Sequence, residues 1–185
     1  VHESPFLQPP INKFIQDGYQ LLYELDAVDR DFKILPMGHQ LAKLPLDPSL
    51  GRILIESNKQ ACLNEILIII SALSISDPRE RPLDKAEKAD QAHLLFHDPD
   101  SGFMSFIKLW KLLDEKISIK SGKGLRNFCQ QYFVSYTRIR EWQELYKQLA
   151  EMTKELDFKV SQKKVTYERI HISLLTGLLG NIGTK

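Results

Sequence analysis

The run Leu63 to Leu73, Leu-Asn-Glu-Ile-Leu-Ile-Ile-Ile-Ser-Ala-Leu, constrains this chain more than any other segment. Ile66 to Ile70 are consecutive apolar residues, so a helix built on them is apolar around its whole circumference. Such a helix offers no face to water and belongs at the centre of a bundle, covered on every side. It ends before Asp77-Pro78, because a residue preceding proline disfavours the helical conformation.

The rest of the chain supplies the covering helices. Asp47-Pro48 is a helix start, with Asp as N-cap and Pro at the first helical position, and Leu50, Ile53 and Leu54 then face inward. Ser101 caps a helix whose Phe103, Phe106, Ile107, Trp110 and Leu113 form one stripe. After a break at Ser121-Gly122-Lys123-Gly124, periodicity from Leu125 to Leu156 predicts one long helix, with Phe128, Tyr132, Tyr136, Ile139, Trp142 and Tyr146 on its apolar face. A last helix is predicted over Tyr167 to Leu179, stopped by Gly180 to Gly183. At the other end, Ser4 to Pro10 reads as extended. Ile11 to Leu25 reads as a helix with Ile11, Phe14, Ile15, Gly18, Leu22 and Leu25 on one face. A short strand at Phe32 to Leu35 and a helix at Met37 to Leu44, stopped by Pro45, complete a helix–strand–helix set suited to a winged-helix unit.

Charge excludes one simple reading. The 185 residues hold 25 basic and 24 acidic side chains, a net charge of +1, so any attraction to phosphate must come from local clustering. Cys62 and Cys129 sit in apolar surroundings without metal-ligand spacing and read as buried thiols in a reducing compartment. No apolar run approaches the roughly 20 residues that span a bilayer, and the proline-rich first ten residues resemble no secretory signal, so the expected location is cytoplasmic with no membrane partner.

Catalytic and cofactor chemistry is not legible. Ser121-Gly122-Lys123-Gly124 lacks the glycine spacing and the hydroxyl of a phosphate loop and reads as an interhelical turn. His93 and His97 stand four apart, but no His-Glu-x-x-His pattern is present, and they read as a solvated helix end rather than a metal site. The aromatic stripe of Tyr132, Tyr136, Trp142 and Tyr146 reads as core packing rather than a base-stacking platform. The best candidate for phosphate contact is Asp77-Pro78-Arg79-Glu80-Arg81-Pro82: two guanidinium groups beside a helix terminus can grip phosphate bidentately. Equally, Arg79 and Arg81 can pair with Glu80, Asp77 or Asp84. Arg126, Arg138 and Arg140 are second candidates; on a helix Arg138 and Arg140 point about 200° apart, so one of them serves a structural partner instead.

An ordered set of motifs resembles the accessory region of DEAH-box RNA helicases. Phe6-Leu7-Gln8-Pro9-Pro10 is similar to that family's F-x-E-P-P, with Gln8 for Glu. Leu21 to Val28 resembles its L-x-x-L-G-A, with Asp26 for Gly; Leu35-Pro36-Met37-Gly38 resembles L-T-x-x-G; Leu44 to Pro48 matches L-P-x-D-P. Arg79-Glu80-Arg81-Pro82 after Asp77-Pro78 looks like the bacterial HrpA branch, as do Phe106 to Trp110, Tyr136 to Trp142 and Ile170 to Leu179. Ser101-Gly102-Phe103 departs from the family's S-D-F, which removes a first-turn acid from a helix start.

The resemblance implies a mainly α fold: a winged-helix unit at 1–46, a ratchet-like helical bundle at 47–165, and a helix at 166–185 leading toward an OB-fold. It implies that ATP and Mg²⁺ belong to motor domains outside these residues. This region would close over single-stranded RNA and limit backward slipping, docked on those motor domains and itself hydrolysing nothing, with no cofactor of its own. A protein-interaction scaffold is the alternative. An independent DNA-binding winged-helix regulator fits poorly, because Met37 to Leu44 offers only His39, Gln40 and Lys43 to base edges.

Overall fold

The computed structural model describes residues 10–117, 122–161 and 164–178, and among them the fold is helical. The chain divides into two compact units, one of residues 1–60 with 164–185, the other of residues 61–163.

In the first unit, α1 runs Pro10–Glu24, α2 Pro36–Ala42 and α3 Pro48–Lys59; α9, Tyr167–Leu178, returns to pack along α3. Pro10, expected in an extended segment, is the first residue of α1, and Ser4 to Pro9 lie outside the described residues. The expected inward face of α1 is only partly realised: Leu25 is buried, whereas Phe14 and Ile15 are 75% and 51% exposed. Asp26 stops the helix in the left-handed conformation (φ 58°), its amide bonding Tyr23 O and that of Ala27 bonding Leu22 O. Glycine adopts this conformation without strain, which is the physical reason a glycine suits the position Asp26 fills. The expected strand is a single antiparallel bridge, Val28 with Ile34. α2 begins with Pro36 as its first residue, and a Cβ on its Gly38 would collide with the Ala27 carbonyl and Ile34. Asp47 caps α3 as expected, accepting from Ser49 N at 3.0 Å, and Ile53 and Leu54 are fully buried. The α3–α9 contact is equally tight, with Gly177 against the Ser49 carbonyl and Ile53.

The second unit is a bundle around α4, Leu63–Leu73, and Leu63 and Ile66 to Ile70 are all buried. α6 (Gly102–Lys116) and α8 (Tyr136–Glu155) cover it, and α5 (Ala86–His93) packs on α7 (Gly122–Tyr132). Ser101 caps α6 through Met104 N, and Leu109 joins Ile107 and Leu113 in the buried stripe. Trp142, fully buried on α8, donates its indole N–H to Ile68 O and Ser71 Oγ, each at 3.0 Å, and meets Trp110 edge-on. Tyr146 packs at a tilt against Trp110 and donates to Asn64 Oδ1 at 2.6 Å, and Tyr132 is buried, so these members of the aromatic stripe are packing, whereas Tyr136 is only half-buried.

Two expectations are corrected. The long helix from Leu125 to Leu156 is two helices, α7 and α8: Phe133 takes a left-handed turn (φ 52°), and Ser135 caps the second through Arg138 N at 3.3 Å. Gly122 to Gly124, read as an interhelical turn, open α7; Ser121 lies outside the described residues, as do Leu179 and the glycine stop after it.

Candidate nucleic-acid interface

The break between α7 and α8 creates the frame that holds the Asp77–Pro82 loop. Phe133 O accepts the amide of Glu80, and Pro78 O accepts that of Ser135, both at 2.8 Å, forming the antiparallel bridge between Arg79 and Val134. His93, at the end of α5, places Nε2 2.9 Å from the same Phe133 carbonyl. A carbonyl oxygen only accepts, so Nε2 carries the proton. Arg138 donates Nη1 to Asp77 O at 2.8 Å. Pro78 is buried, and Pro78 and Pro82 restrict the backbone on either side of the two arginines.

Both arginine forks are occupied by carboxylates of this chain. Asp77 Oδ1 accepts the backbone and Nε of Arg79, both at 3.0 Å, and its Oδ2 accepts Nη2 at 2.8 Å. The Arg79 guanidinium also lies 5.7 Å from the Phe106 ring centroid, within cation–π range. Partial burial pushes the Asp77 carboxyl up, but hydrogen bonds and charge from Arg79 outweigh it, and the group ends below the ordinary aspartate value. Arg81 grips Asp90 on α5 with two parallel bonds, Nε to Oδ1 at 2.7 Å and Nη2 to Oδ2 at 2.9 Å. The Arg81 bond holds the Asp90 carboxyl below its usual range. Both pairs are open to solvent, with side-chain exposures of 38% and 52% for Arg79 and Asp77, and 59% and 52% for Arg81 and Asp90.

Of the expected pairings, only Asp77 with Arg79 is formed. Asp90 was not legible as a partner: it lies nine positions along the chain and reaches Arg81 only because α5 folds back beside the loop. Phe106 under Arg79 was legible only as a member of a helical stripe. Arg79 and Asp90 share a cleft of about 200 Å³ with His93, Leu94, Phe96 and His97. Arg126 lies apart from the two forks, stacked 4.2 Å from the Tyr136 ring centroid. It lines a second cleft of about 240 Å³ with Glu80, Cys129, Gln130 and Val134. Arg140 is exposed and makes no ion pair among the described residues. The structure thus gathers Arg79, Arg81 and Arg138 around one loop, sets Arg126 on its Glu80 side, and leaves Arg140 out of that set.

No group of three or more His, Cys, Asp or Glu side chains is arranged to hold a metal among the described residues. No helix among them is long and apolar enough to cross a membrane. The first unit carries a larger cleft of about 420 Å³ among Tyr19, Tyr23, Val28, Arg30 and Phe32, which holds none of the predicted site residues.

Two family models match consecutive stretches: "Helicase associated domain (HA2), winged-helix" over residues 19–46 and "Helicase associated domain (HA2), ratchet-like" over residues 47–105. The chain belongs to the helicase-associated family of DEAH-box RNA helicases. It is similar to the ATP-dependent RNA helicase HrpA of Escherichia coli strain K12, at 45% identity over 98% of this chain and 14% of the relative. The HrpA homolog of Haemophilus influenzae is 40% identical over 100% of the chain and 15% of its own length. A pre-mRNA-splicing ATP-dependent RNA helicase of Schizosaccharomyces pombe is 26% identical over 97% of the chain and 15% of its own length. The chain therefore spans about one-seventh of the length of these relatives. The winged-helix model ends at residue 46 and the ratchet-like model begins at 47, whereas packing places α3 and α9 in one unit with α1 and α2.

Proposed function

We propose that this chain is the part of an ATP-dependent DEAH-box RNA helicase that lines the path of single-stranded RNA and helps hold the strand during translocation. ATP and Mg²⁺ bind in motor domains of the same protein, in the cytoplasm, and the region described here contributes no catalytic residue. The observation that carries this reading is the loop Asp77–Pro82. Its backbone is locked by two bridge bonds and the Arg138 bond, while the guanidinium groups of Arg79 and Arg81 stay at the surface. A rigid backbone presenting two forks suits sequence-independent contact with phosphates. Arg126, Arg138 and Arg140 complete the set assigned to the RNA path, with Arg138 acting chiefly through the loop it fixes.

The test is Arg79→Gln with Arg81→Gln in the full-length protein. RNA affinity and unwinding should fall, and the dependence of log K on log salt should flatten by about 0.7 per lost phosphate contact. Unchanged affinity, unwinding and salt slope would remove these residues from the RNA path. A second reading, a scaffold that recruits a protein to the helicase, draws on Leu83, Leu94 and Leu95, exposed at 94%, 68% and 66%. Binding to such a partner would resist salt and be lost on Leu83→Ser with Leu94→Ser.

A further inference from the structure

Asp77 and Asp90 both occupy arginine forks, but they are built in differently. Asp77 also accepts the Arg79 backbone amide, so it is part of the loop's own turn. Asp90 lies on another element and touches the loop through the Arg81 guanidinium. The loop backbone does not depend on it, since the bridge to Val134 and the Arg138 bond hold residues 77–80 in place. The bidentate geometry of Arg81 on Asp90 is the geometry a guanidinium offers to two oxygens of a phosphodiester. Arg81 and Asp90 are also half-exposed, so water screens the pair and opening it costs little.

We propose that Asp90 is a specificity-determining residue of this loop: its carboxylate fills the Arg81 fork that an RNA phosphodiester takes, so phosphate enters by exchange with Asp90. This rests on the RNA-path reading above. While the pair is closed it is neutral, and an isolated anion must compete with a carboxylate tethered at high effective concentration. A strand already held by neighbouring contacts brings its phosphate at a comparable effective concentration and exchanges. Asp90 thereby selects a continuous phosphodiester backbone over single phosphates. No covalent step is involved; one ion pair opens and another closes.

The experiment uses the full-length protein and a fluorescein-labelled oligouridylate, with anisotropy read at several salt concentrations. Asp90→Asn keeps the side-chain shape and removes the competing charge. It should tighten binding by about two- to fivefold, the range open to an exposed ion pair, and steepen the salt slope by about 0.7, one added phosphate neutralised. Inorganic phosphate, a poor competitor against the unaltered protein, should compete measurably against this variant. Asp90→Ser should reproduce the gain. Asp84→Asn, the same charge change on a residue that pairs with no guanidinium among the described residues, should leave affinity unchanged. If Arg81→Gln weakens binding while Asp90→Asn leaves it unchanged or weaker, exchange is refuted and the RNA-path reading stands. If Asp84→Asn and Asp90→Asn tighten binding equally, the effect is general charge and the role of Asp90 is refuted. If Arg79→Gln, Arg81→Gln and Asp90→Asn all leave affinity and salt slope unchanged, the RNA-path reading falls and this inference with it.

Discussion

Replacing Gly177 with alanine should destabilise the protein, although alanine is the better helix former. In an unconstrained helix interior the change gains about 0.8–1 kcal/mol, because alanine loses less backbone entropy on folding. Gly177 is buried in α9 where that helix crosses α3. A Cβ there would press into the Ser49 carbonyl oxygen and into Cγ1 and Cδ1 of Ile53. Ile53 is itself fully buried and has no room to turn aside, and the carbonyl belongs to the first turn of α3, so the helices must separate. Overpacking of this kind costs about 1–3 kcal/mol. With rigid backbone as the obstacle the upper part of that range applies, and the net loss after the propensity gain is about 1–2 kcal/mol. Gly18 is the internal control: it lies within α1, and a Cβ there meets nothing within 4 Å. Gly18→Ala should therefore stabilise by about 0.5–1 kcal/mol. Urea unfolding followed by circular dichroism at 222 nm measures both. A Gly177→Ala variant as stable as the parent, or more so, would refute the close crossing of α3 and α9.

Other perturbations probe the remaining packing and charge. Trp142→Phe removes the indole N–H bonds to Ile68 O and Ser71 Oγ along with part of a fully buried ring; a loss of about 2–3 kcal/mol is expected by urea unfolding, and less than 1 would contradict this placement. Asp26→Gly should stabilise by about 0.5–1 kcal/mol, seen as a raised melting temperature, because Asp26 holds a left-handed conformation that glycine adopts freely. Glu56 is pushed up by burial but pulled further down by bonds from Gln60 and Arg52 and by the charges of Arg52 and Lys59, so its folded value lies below the unfolded one. Its contribution is thus present above the unfolded value of about 4.3 and is lost as pH falls through the lower folded value, and Glu56→Gln should flatten the acid side of the stability profile. Burial, with a smaller push from the Glu80 charge, raises the Cys129 thiol to about 11. At pH 8 its thiolate should be roughly a hundredfold scarcer than that of an unperturbed thiol, and labelling by a disulfide reagent should accelerate sharply on unfolding.

The helices that carry strong local signals were legible from residues alone. Leu63–Leu73 is the clearest case, because a segment apolar on all sides has one place to go. Asp47-Pro48 and Ser101 mark their helix starts for an equally local reason: a side-chain oxygen satisfies amides that have no partner within the helix. The same reasoning failed between Tyr132 and Tyr136. Apolar residues continue there at helical spacing, and nothing local announces that Phe133 turns left-handed. That turn is sustained by distant partners, Glu80 N and His93 on its carbonyl and the bridge to Arg79 beside it. α1 misled in the opposite sense, since its periodicity is real but Phe14 and Ile15 are left uncovered by the described residues.

The arginines of the candidate interface divide the same way. The presence of Arg79 and Arg81 beside Asp77-Pro78, and with it the helicase-associated family, follows from order along the chain, because motif and helix-end chemistry act over a few residues. Asp77, two positions from Arg79, follows in the same way, but the other partners do not. Arg81 with Asp90, Arg79 over Phe106 and Arg138 on the Asp77 carbonyl join residues 9 to 61 positions apart, and each pairing exists only because two helices and a loop meet in space. Sequence by itself determined the helices with strong local start signals, the buried centre and the loop that offers positive charge. Tertiary structure decided that the Arg81 fork is already held by Asp90, since such an electrostatic partner is chosen by distance in space and not along the chain.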